Sequence, residues 1–198
     1  DFGGFPAELY QIEYPAPGGG ATVGVVGDRL TRAGIPFHND PVRGLNHGAW
    51  VVLRLLFPAA GVPVVAMSVN PALSPQAQYQ VGRALADLRR DDVLIIGSGG
   101  TVHNFATMNW RDEPTAEPWA VAFDDWVLSK VTAWDLESLF AYGSFAPNAQ
   151  IAVPPHGNEH FVPLFYAMGA ADDQRTAREL HRSYRYGSLS HALWQFGG

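Results

Sequence analysis

Apolar residues recur at helical spacing in five stretches of the chain. In such a pattern apolar side chains lie three or four residues apart, so that they share one helical face. Ser74 and Pro75 begin one stretch with residue types that favour a helix cap and a first helical position, and Gly34 and Pro58 end two others. The stretches predicted to be helical are 21–34, 47–58, 74–92, 118–143 (one or two helices) and 158–171, the last ending near Gly169.

Two apolar runs and the C-terminal segment have the character of strands. Residues 61–70 (GVPVVAMSVN) and 93–100 (VLIIGSGG) are aliphatic runs bounded by turn residues, which predicts buried strands. Residues 177–197 alternate enough to predict a hairpin. Because helices and strands alternate, we expect an α/β fold, a single domain over residues 1–198 with a central mixed, largely parallel sheet flanked by helices. In such folds ligands bind where strands end and loops begin.

Composition narrows the classes of function. Apolar residues form 47% of the 198 residues and charged residues 16%, which is typical of a packed globular protein. A formal net charge of −6 disfavours binding to nucleic acid. No apolar run is long enough to span a bilayer, so we expect a cytoplasmic protein with no membrane partner. Cysteine is absent, so a metal site would use His, Asp or Glu.

Three of the seven histidines lie at the ends of predicted elements, where ligands gather. His47 precedes a helix in GLNHGAW, His103 follows a strand in GSGGTVHNF, and His160 lies in the first turn of an apolar helix. One histidine at such a position is usually a partly buried side chain bonded to the backbone, but three together favour a shared site. The glycines before His103 predict a tight turn that brings it to a pocket. The surroundings of three others give them no role: His38, His181 and His191.

The stretch HGNEH, from His156 to His160, has the spacing of an inverted zinc-protease motif. In that motif two histidines one helical turn apart bind zinc and the glutamate, here Glu159, acts as a base. The arrangement requires a helix that has already formed at His156, yet two prolines precede that residue and a glycine follows it. A helix capped at Asn158 fits the sequence better. We therefore expect His156 to lie in the preceding loop and a zinc protease to be the least favoured function.

Other polar motifs carry weaker signals. The GSGG turn lacks the lysine and the spacing of nucleotide-binding loops. Asp124 and Asp125 lie within a predicted helix, and we expect both on its solvated face. Serine hydrolysis is unsupported, because none of the candidate serines has the nucleophile-elbow sequence: Ser98, Ser188 and Ser190.

Six longer motifs follow one another along the chain: DFGGFP, YPAPG, HGAWVVLRLLFP, GSGGTVHN, NEHFVPLFYAMGAA and YGSLSHALWQFG. These motifs and their order resemble those of the class III extradiol ring-cleavage dioxygenases of the DOPA-dioxygenase type, and the resemblance covers essentially the whole chain. It implies an α/β enzyme that opens the aromatic ring of a catechol with O2 at a non-haem metal, Fe(II) in the active enzymes and Zn(II) in some members.

The same resemblance assigns roles to the histidines. His160 corresponds to a metal ligand, with Glu159 beside it as a less favoured donor. His103 corresponds to the acid/base next to the metal and is a second candidate metal ligand. His47 corresponds to a pocket histidine that faces substrate or dioxygen, so His103 and His47 are the candidate catalytic residues.

One departure from the family pattern bears on these roles. Family members carry two further metal-binding histidines, in a His-Gly-Ser-Pro loop and a Ser-Ala-His-Trp strand end, and neither motif occurs in this sequence. The chain begins at Asp1, so we expect it to be N-terminally incomplete, without the first strands of the fold and without a complete metal site. The alternative is a non-catalytic metal-binding or interaction domain with the same fold.

Overall fold

The computed structural model describes residues 6–111 and 115–198. The chain divides into two compact units, residues 1–68 and 69–198. The DFGGFP motif lies outside the described residues except for Pro6. The α-helices of the described chain are α1 (Ala21–Arg32), α2 (His47–Leu56), α3 (Pro75–Ala84), α4 (Pro118–Thr132), α5 (Leu136–Phe140), α6 (Tyr142–Phe145), α7 (Ala149–Ala152) and α8 (Pro163–Ala170).

The N-terminal unit contains two of the predicted helices. Helix α1 ends where Gly34 adopts φ +68°, and α2 begins at an Asn46 cap whose side chain accepts a hydrogen bond from Ala49 N. The predicted strand 61–70 makes only an isolated parallel bridge, between Val64 and Gly18. The two predicted helices of this unit are therefore confirmed, whereas its predicted strand is reduced to one bridged residue.

In the C-terminal unit, helices α3 and α8 pack with their backbones in direct contact. A Cβ at Gly82 of α3 would collide with the Tyr166 carbonyl of α8, and a Cβ at Gly169 of α8 would collide with the Tyr79 carbonyl of α3. Ser74 caps α3 by accepting a hydrogen bond from Ala77 N, as its position before the proline predicts. The two glycines therefore allow an approach that no larger residue permits.

The buried face of helix α4 includes an acidic residue. Asp124 was expected in solvent, but it is only 2% exposed. It shares a face with Val127 and Val131, because positions three and seven residues apart align on a helix. Asp125 points the other way, as expected, and pairs with an arginine at 2.8 Å.

The regular sheet of the described residues is a two-stranded antiparallel hairpin. Strand β1 (Ala177–Arg185) pairs with β2 (Leu189–Phe196), which confirms the predicted hairpin. With the surrounding helices it makes the chain an α/β protein, as predicted. Among the described residues the parallel strand pairs of the expected central sheet do not form hydrogen-bonded ladders.

The segment 93–100 is the clearest difference from the predicted sheet. It was expected to be a buried strand, but it has no strand partner among the described residues, and Leu94 and Ile96 are exposed. Its glycines instead place the backbone against the residues that lead into α8, where Gly100 N donates to the carbonyl of His160 at 2.7 Å. The glycine-rich end of the segment therefore packs closely against the turn that contains His160.

Within the described ranges, no helix combines the length and the apolar character needed to cross a bilayer.

A charged cap at the start of α5 gives the fold a pH dependence. Asp135 accepts hydrogen bonds from Lys130 Nζ at 2.8 Å, from Ser138 Oγ at 2.7 Å and from Ser138 N at 3.1 Å. The bonds from Lys130 and Ser138 lower the pKa of Asp135 from 3.8 to about 2. The folded state therefore favours the ionised carboxylate more than the unfolded state does.

Replacing Asp135 by asparagine tests this cap. Because the folded pKa is depressed, the stabilisation is present above the unfolded pKa of 3.8 and is lost as the pH falls towards about 2. Asp135→Asn should lower the melting temperature at neutral pH, and the wild-type and variant melting temperatures should converge as the solution is acidified. Lys130→Gln removes the other partner and should show the same convergence. A gap that stays constant with pH would contradict the role of the charge.

Candidate metal and active site

His160 ends a short 3-10 turn, Asn158–His160, that leads into helix α8. The turn begins after Gly157 without a side-chain cap, and Asn158 Nδ2 instead donates to the carbonyl of Pro71 at 3.1 Å. The expected cap at Asn158 is therefore wrong, and α8 starts only at Pro163, a residue type suited to a first helical position. His160 precedes the helix and does not lie in its first turn.

His156 lies outside any helix, in the loop that precedes this turn. Its backbone adopts φ +63°, a left-handed conformation incompatible with a continuing helix. The two histidines of HGNEH are therefore not one turn apart on a common helix. The zinc-protease geometry does not form.

Two glycines bring the segment before His103 against His160. Gly100 N donates to the His160 carbonyl at 2.7 Å, and a Cβ at Gly99 would collide with the same oxygen. The tight glycine turn expected from the sequence is thus present. It allows a backbone contact that a side chain at position 99 would block.

His103 is held at the other end of this segment by helix α7 and its surroundings. His103 N donates to the carbonyl of Ala152 at 3.4 Å, and Asn104 Nδ2 donates to the carbonyl of Ile151 at 2.8 Å. The side-chain oxygen of Asn104 accepts from Ala106 N at 3.0 Å, which turns the chain immediately after the histidine. The backbone on both sides of the imidazole is therefore fixed.

The imidazoles of His103 and His160 stack on each other. Their ring centroids are 3.6 Å apart, and their planes differ by 20°. Phe105 meets the His103 ring edge to face, with centroids 4.9 Å apart. Glu159 Oε1 lies 3.7 Å from His160 Nε2. Two of the predicted site residues are thus brought together, with the neighbouring carboxylate beside them.

Burial lowers the pKa of His103, and the charge of the neighbouring His160 lowers it further. A backbone hydrogen bond and the carboxylate of Glu159 act in the opposite direction but are smaller. The neutral imidazole is favoured, and a neutral imidazole can accept a proton.

The stacked pair lines an open pocket of about 270 Å³. A neutral imidazole, a carboxylate and an aromatic ring around a small open cavity suit a small, flat, polar ligand. The lining residues that the sequence analysis did not single out are the chain neighbours of His103 and the loop before His160: Asn104, Phe105, Ala106, Pro154, Pro155 and Gly157. Their only sequence signal is adjacency to a candidate histidine.

Three further histidines lie on helix α2 and on the hairpin. His47 is the first residue of α2 in the N-terminal unit, as predicted, and it is exposed. His181 and His191 lie on the hairpin strands, and a ring nitrogen of His181 lies 2.8 Å from Ser183 Oγ. The two hairpin histidines remain without a predicted role.

The side chains at this pocket could supply some, but not all, of the ligands of a metal ion. Imidazole binds metal ions through a nitrogen lone pair that lies in the ring plane, at about 2.0–2.1 Å for zinc. Because the two stacked planes are nearly parallel, the lone pairs of His103 and His160 do not converge on one point. Among residues 6–111 and 115–198, no group of three or more His, Asp or Glu side chains is arranged to hold a metal ion. His160 has a carboxylate, that of Glu159, beside it.

Comparison with known proteins identifies the family. The model of the catalytic LigB subunit of aromatic ring-opening dioxygenase matches residues 1–194. The chain belongs to the LigB family. It is 41% identical over 197 residues to a 4,5-DOPA dioxygenase extradiol of Beta vulgaris, covering 99% of this chain and 72% of that protein. It is 32% identical over 198 residues to the Escherichia coli protein of the same name, again covering 72% of the relative.

A solved structure supports the same assignment. The crystal structure of an uncharacterized protein from Escherichia coli K12 superposes with a TM-score of 0.83 at 31% sequence identity, covering 96% of this chain and 77% of that one. The resemblance to extradiol dioxygenases noted in the sequence is therefore confirmed, and the chain is assigned to a family of aromatic ring-opening dioxygenase enzymes.

Two neighbouring glycines give a matched test of the close contact at His160. Gly99→Ala should lower the free energy of unfolding by about 1–3 kcal/mol, because the new methyl group collides with the His160 carbonyl. Gly100→Ala should cost less, since its Cβ would meet Ser190 O at 3.4 Å, an ordinary contact distance. Denaturant unfolding of both variants measures the difference. Equal losses would contradict the specific contact at position 99.

Proposed function

We propose that the protein opens the aromatic ring of a catechol resembling DOPA, using dioxygen and a non-haem metal, Fe(II) or Zn(II). The observation that carries the proposal is the stacked pair of His103 and His160 in an open pocket of a LigB-family chain. Several relatives are named 4,5-DOPA dioxygenase extradiol, which supports a catechol as the substrate class. A cytoplasmic location remains a prediction.

His160 is the proposed metal ligand of this chain. Its side chain is 36% exposed at the pocket, and its backbone is fixed by the bond from Gly100. Glu159 lies close enough to His160 Nε2 to influence the ligand or to act as a further donor. We propose that other ligands complete the site, because these two residues alone do not provide the three donors of a typical non-haem iron centre.

A redox-active divalent metal such as Fe(II), bound at His160, would supply the electron transfer between the catechol oxygens and dioxygen that ring opening requires, whereas Zn(II) has no redox chemistry of its own. The protein's part is to bind the flat ring, to orient it and to move protons. The pocket has a matching surface for an aromatic ring in Phe105, which meets His103 edge to face.

His103 is the proposed acid/base. A catechol hydroxyl can give its proton to a ring nitrogen of the neutral His103, and the resulting imidazolium can return it as the ring opens. Stacking on His160 keeps this proton carrier next to the proposed ligand. Both atoms of dioxygen enter the product, a ring-opened aldehyde acid, so the overall reaction needs no external reductant.

His47 is proposed to face substrate or dioxygen, on the strength of the family resemblance. His47 is an exposed residue at the start of α2. The Asn46 cap fixes the direction in which the helix begins and therefore supports a defined position for His47.

Replacing His103 tests the proposed acid/base. In the protein that contains this chain, loaded with Fe(II), His103→Gln should lower kcat for L-DOPA by roughly 100- to 10,000-fold, the range typical of a lost acid/base. Oxygen uptake and the appearance of a yellow product measure turnover. An anaerobic titration with L-DOPA should show that the catechol still binds.

The hairpin supplies the matched control for this experiment. His181→Gln makes the same chemical change at a histidine without a proposed role and should leave kcat within about twofold of the wild type, as expected for an uninvolved surface residue. Retained turnover in His103→Gln would remove His103 from the mechanism.

A second pair of variants tests the metal ligand. His160→Ala should weaken Zn(II) binding in calorimetry by more than about 100-fold, the upper end of what loss of a supporting residue costs at a metal site. His156→Asn is the matched control from the same pocket, because asparagine tolerates the left-handed backbone at that position. Its metal affinity should stay unchanged. A zinc-protease site would require the opposite, an equal loss in both variants.

One observation favours a second candidate function. The described residues contain no three-donor metal group, which is also what a non-catalytic metal-binding or interaction domain of the same fold would have. Metal binding without oxygen uptake, for several catechols and with Fe(II) present, would favour that domain over the enzyme.

A further inference from the structure

Asp124 is a buried carboxylate whose hydrogen bonds lie on one oxygen. Oδ2 accepts from Ser190 Oγ at 2.6 Å and from Tyr184 Oη at 2.8 Å, while Oδ1 is buried and has no hydrogen-bond partner among the described residues. A buried charge that is only half satisfied stabilises a fold poorly compared with an apolar residue of similar size. Its presence on the buried face of α4 therefore needs another physical reason.

The bond to Ser190 connects Asp124 to the segment that carries His103. Ser190 Oγ accepts a hydrogen bond from Thr101 Oγ1 at 3.0 Å, and Ser190 N donates to the carbonyl of Val102 at 3.1 Å. Thr101 and Ser190 are both buried, and Val102 is fully buried. The start of β2 is thus hydrogen-bonded to Thr101 and Val102, the two residues immediately before His103.

The direction of these bonds depends on the carboxylate. A serine hydroxyl has one proton and can donate to only one partner at a time. Because an ionised carboxylate only accepts hydrogen bonds, the Ser190 hydroxyl donates its hydrogen to Asp124, and its lone pairs face Thr101. Without the carboxylate, that proton is free to turn towards Thr101, and the ordered chain from Thr101 through Ser190 to Asp124 is lost.

A second set of hydrogen bonds holds the residues that follow His103. Ser188 Oγ lies 3.2 Å from Thr107 Oγ1, which in turn donates to the carbonyl of Asn104 at 2.9 Å. This link does not involve Asp124. Together with the bonds that His103 N and Asn104 Nδ2 make to helix α7, these links hold the segment on both sides of the imidazole, and Asp124 is connected to the link on the glycine side.

We propose that Asp124 is a positioning residue for His103, acting through the hydroxyl of Ser190 to fix the segment 100–103 and thereby the stacking of His103 on His160. The inference rests on the proposed function, in which His103 moves the proton. Gly100 belongs to the same segment and holds the His160 carbonyl, so a shift of the segment moves both members of the stacked pair. Misplacement of a reacting group by about 1 Å can cost roughly 100-fold in rate.

The chain provides two variants that remove equivalent bonds from the same carboxylate. Ser190→Ala and Tyr184→Phe each delete one hydroxyl donor to Asp124 Oδ2, but only Ser190 is connected to Thr101 and Val102. Both should lower the melting temperature. Ser190→Ala should also lower kcat for L-DOPA by about tenfold to 100-fold with KM changed by less than about twofold, whereas Tyr184→Phe should leave kcat within about twofold.

A double variant tests whether Asp124 and Ser190 act on one link. Asp124→Ala should lower kcat by about the same factor as Ser190→Ala, and the double variant should be no slower than the slower single variant. Additive losses would show that the two residues act separately and would overturn the proposal. An unchanged kcat in Ser190→Ala, or an equal loss in Tyr184→Phe, would overturn it as well.

A readout without catalysis separates this inference from the proposed function. In NMR spectra, the ring-proton shifts of His103, assigned by comparison with His103→Gln, report its stacking on His160. They should move in Ser190→Ala and stay in place in Tyr184→Phe. If the wild type opens no ring, the proposed function fails, and the same spectra still decide whether Asp124 positions His103. Unmoved His103 shifts in Ser190→Ala would overturn the positioning role.

Discussion

The hydrogen bond from Gly100 N to the carbonyl of His160 is the contact on which the candidate site depends. It joins a glycine-rich segment to the turn before α8, and it forms only because position 99 has no side chain to block it. Once the two backbones are in contact, His103, three residues further along, is brought over the His160 ring. A backbone contact made possible by glycine therefore determines the arrangement of the side chains that carry chemistry.

The hydrophobic core fixes one side of this contact. Phe161 and Val162 follow His160 and are almost completely buried, and Phe161 makes edge-to-face contacts with aromatic rings of α4 and α8. Helix α8 is itself held against α3 through the reciprocal contacts of Gly82 and Gly169. Because displacement of His160 would disturb this packing, the backbone that carries the partly exposed imidazole is held in a fixed position. Such an arrangement is suited to a site whose geometry must be maintained.

Much of the secondary structure could be predicted from local patterns. Helices α1 to α4 and the C-terminal hairpin follow from helical spacing, from caps such as Ser74 and from alternation along the strands. The segment 93–100 was misassigned, because an apolar run has the same appearance whether it pairs in a sheet or packs against a helix. Its actual partner, the turn at His160, is distant in sequence, so no local pattern could predict it.

The site was predictable in part, for a similar reason. The positions of His103 and His160 at the ends of elements were sufficient to nominate both residues, but their stacking depends on the Gly100 contact. The burial of Asp124 could have been inferred from its helical spacing with Val127 and Val131, and the error lay in giving its charge more weight than its position. The stacking is most informative about His103, for which the sequence left two roles open, metal ligand and acid/base. Nearly parallel rings favour one metal ligand and one proton carrier over two ligands of the same ion. Burial lowers the pKa of His103 and favours its neutral form, which can accept a proton, so His103 is suited to carry the proton.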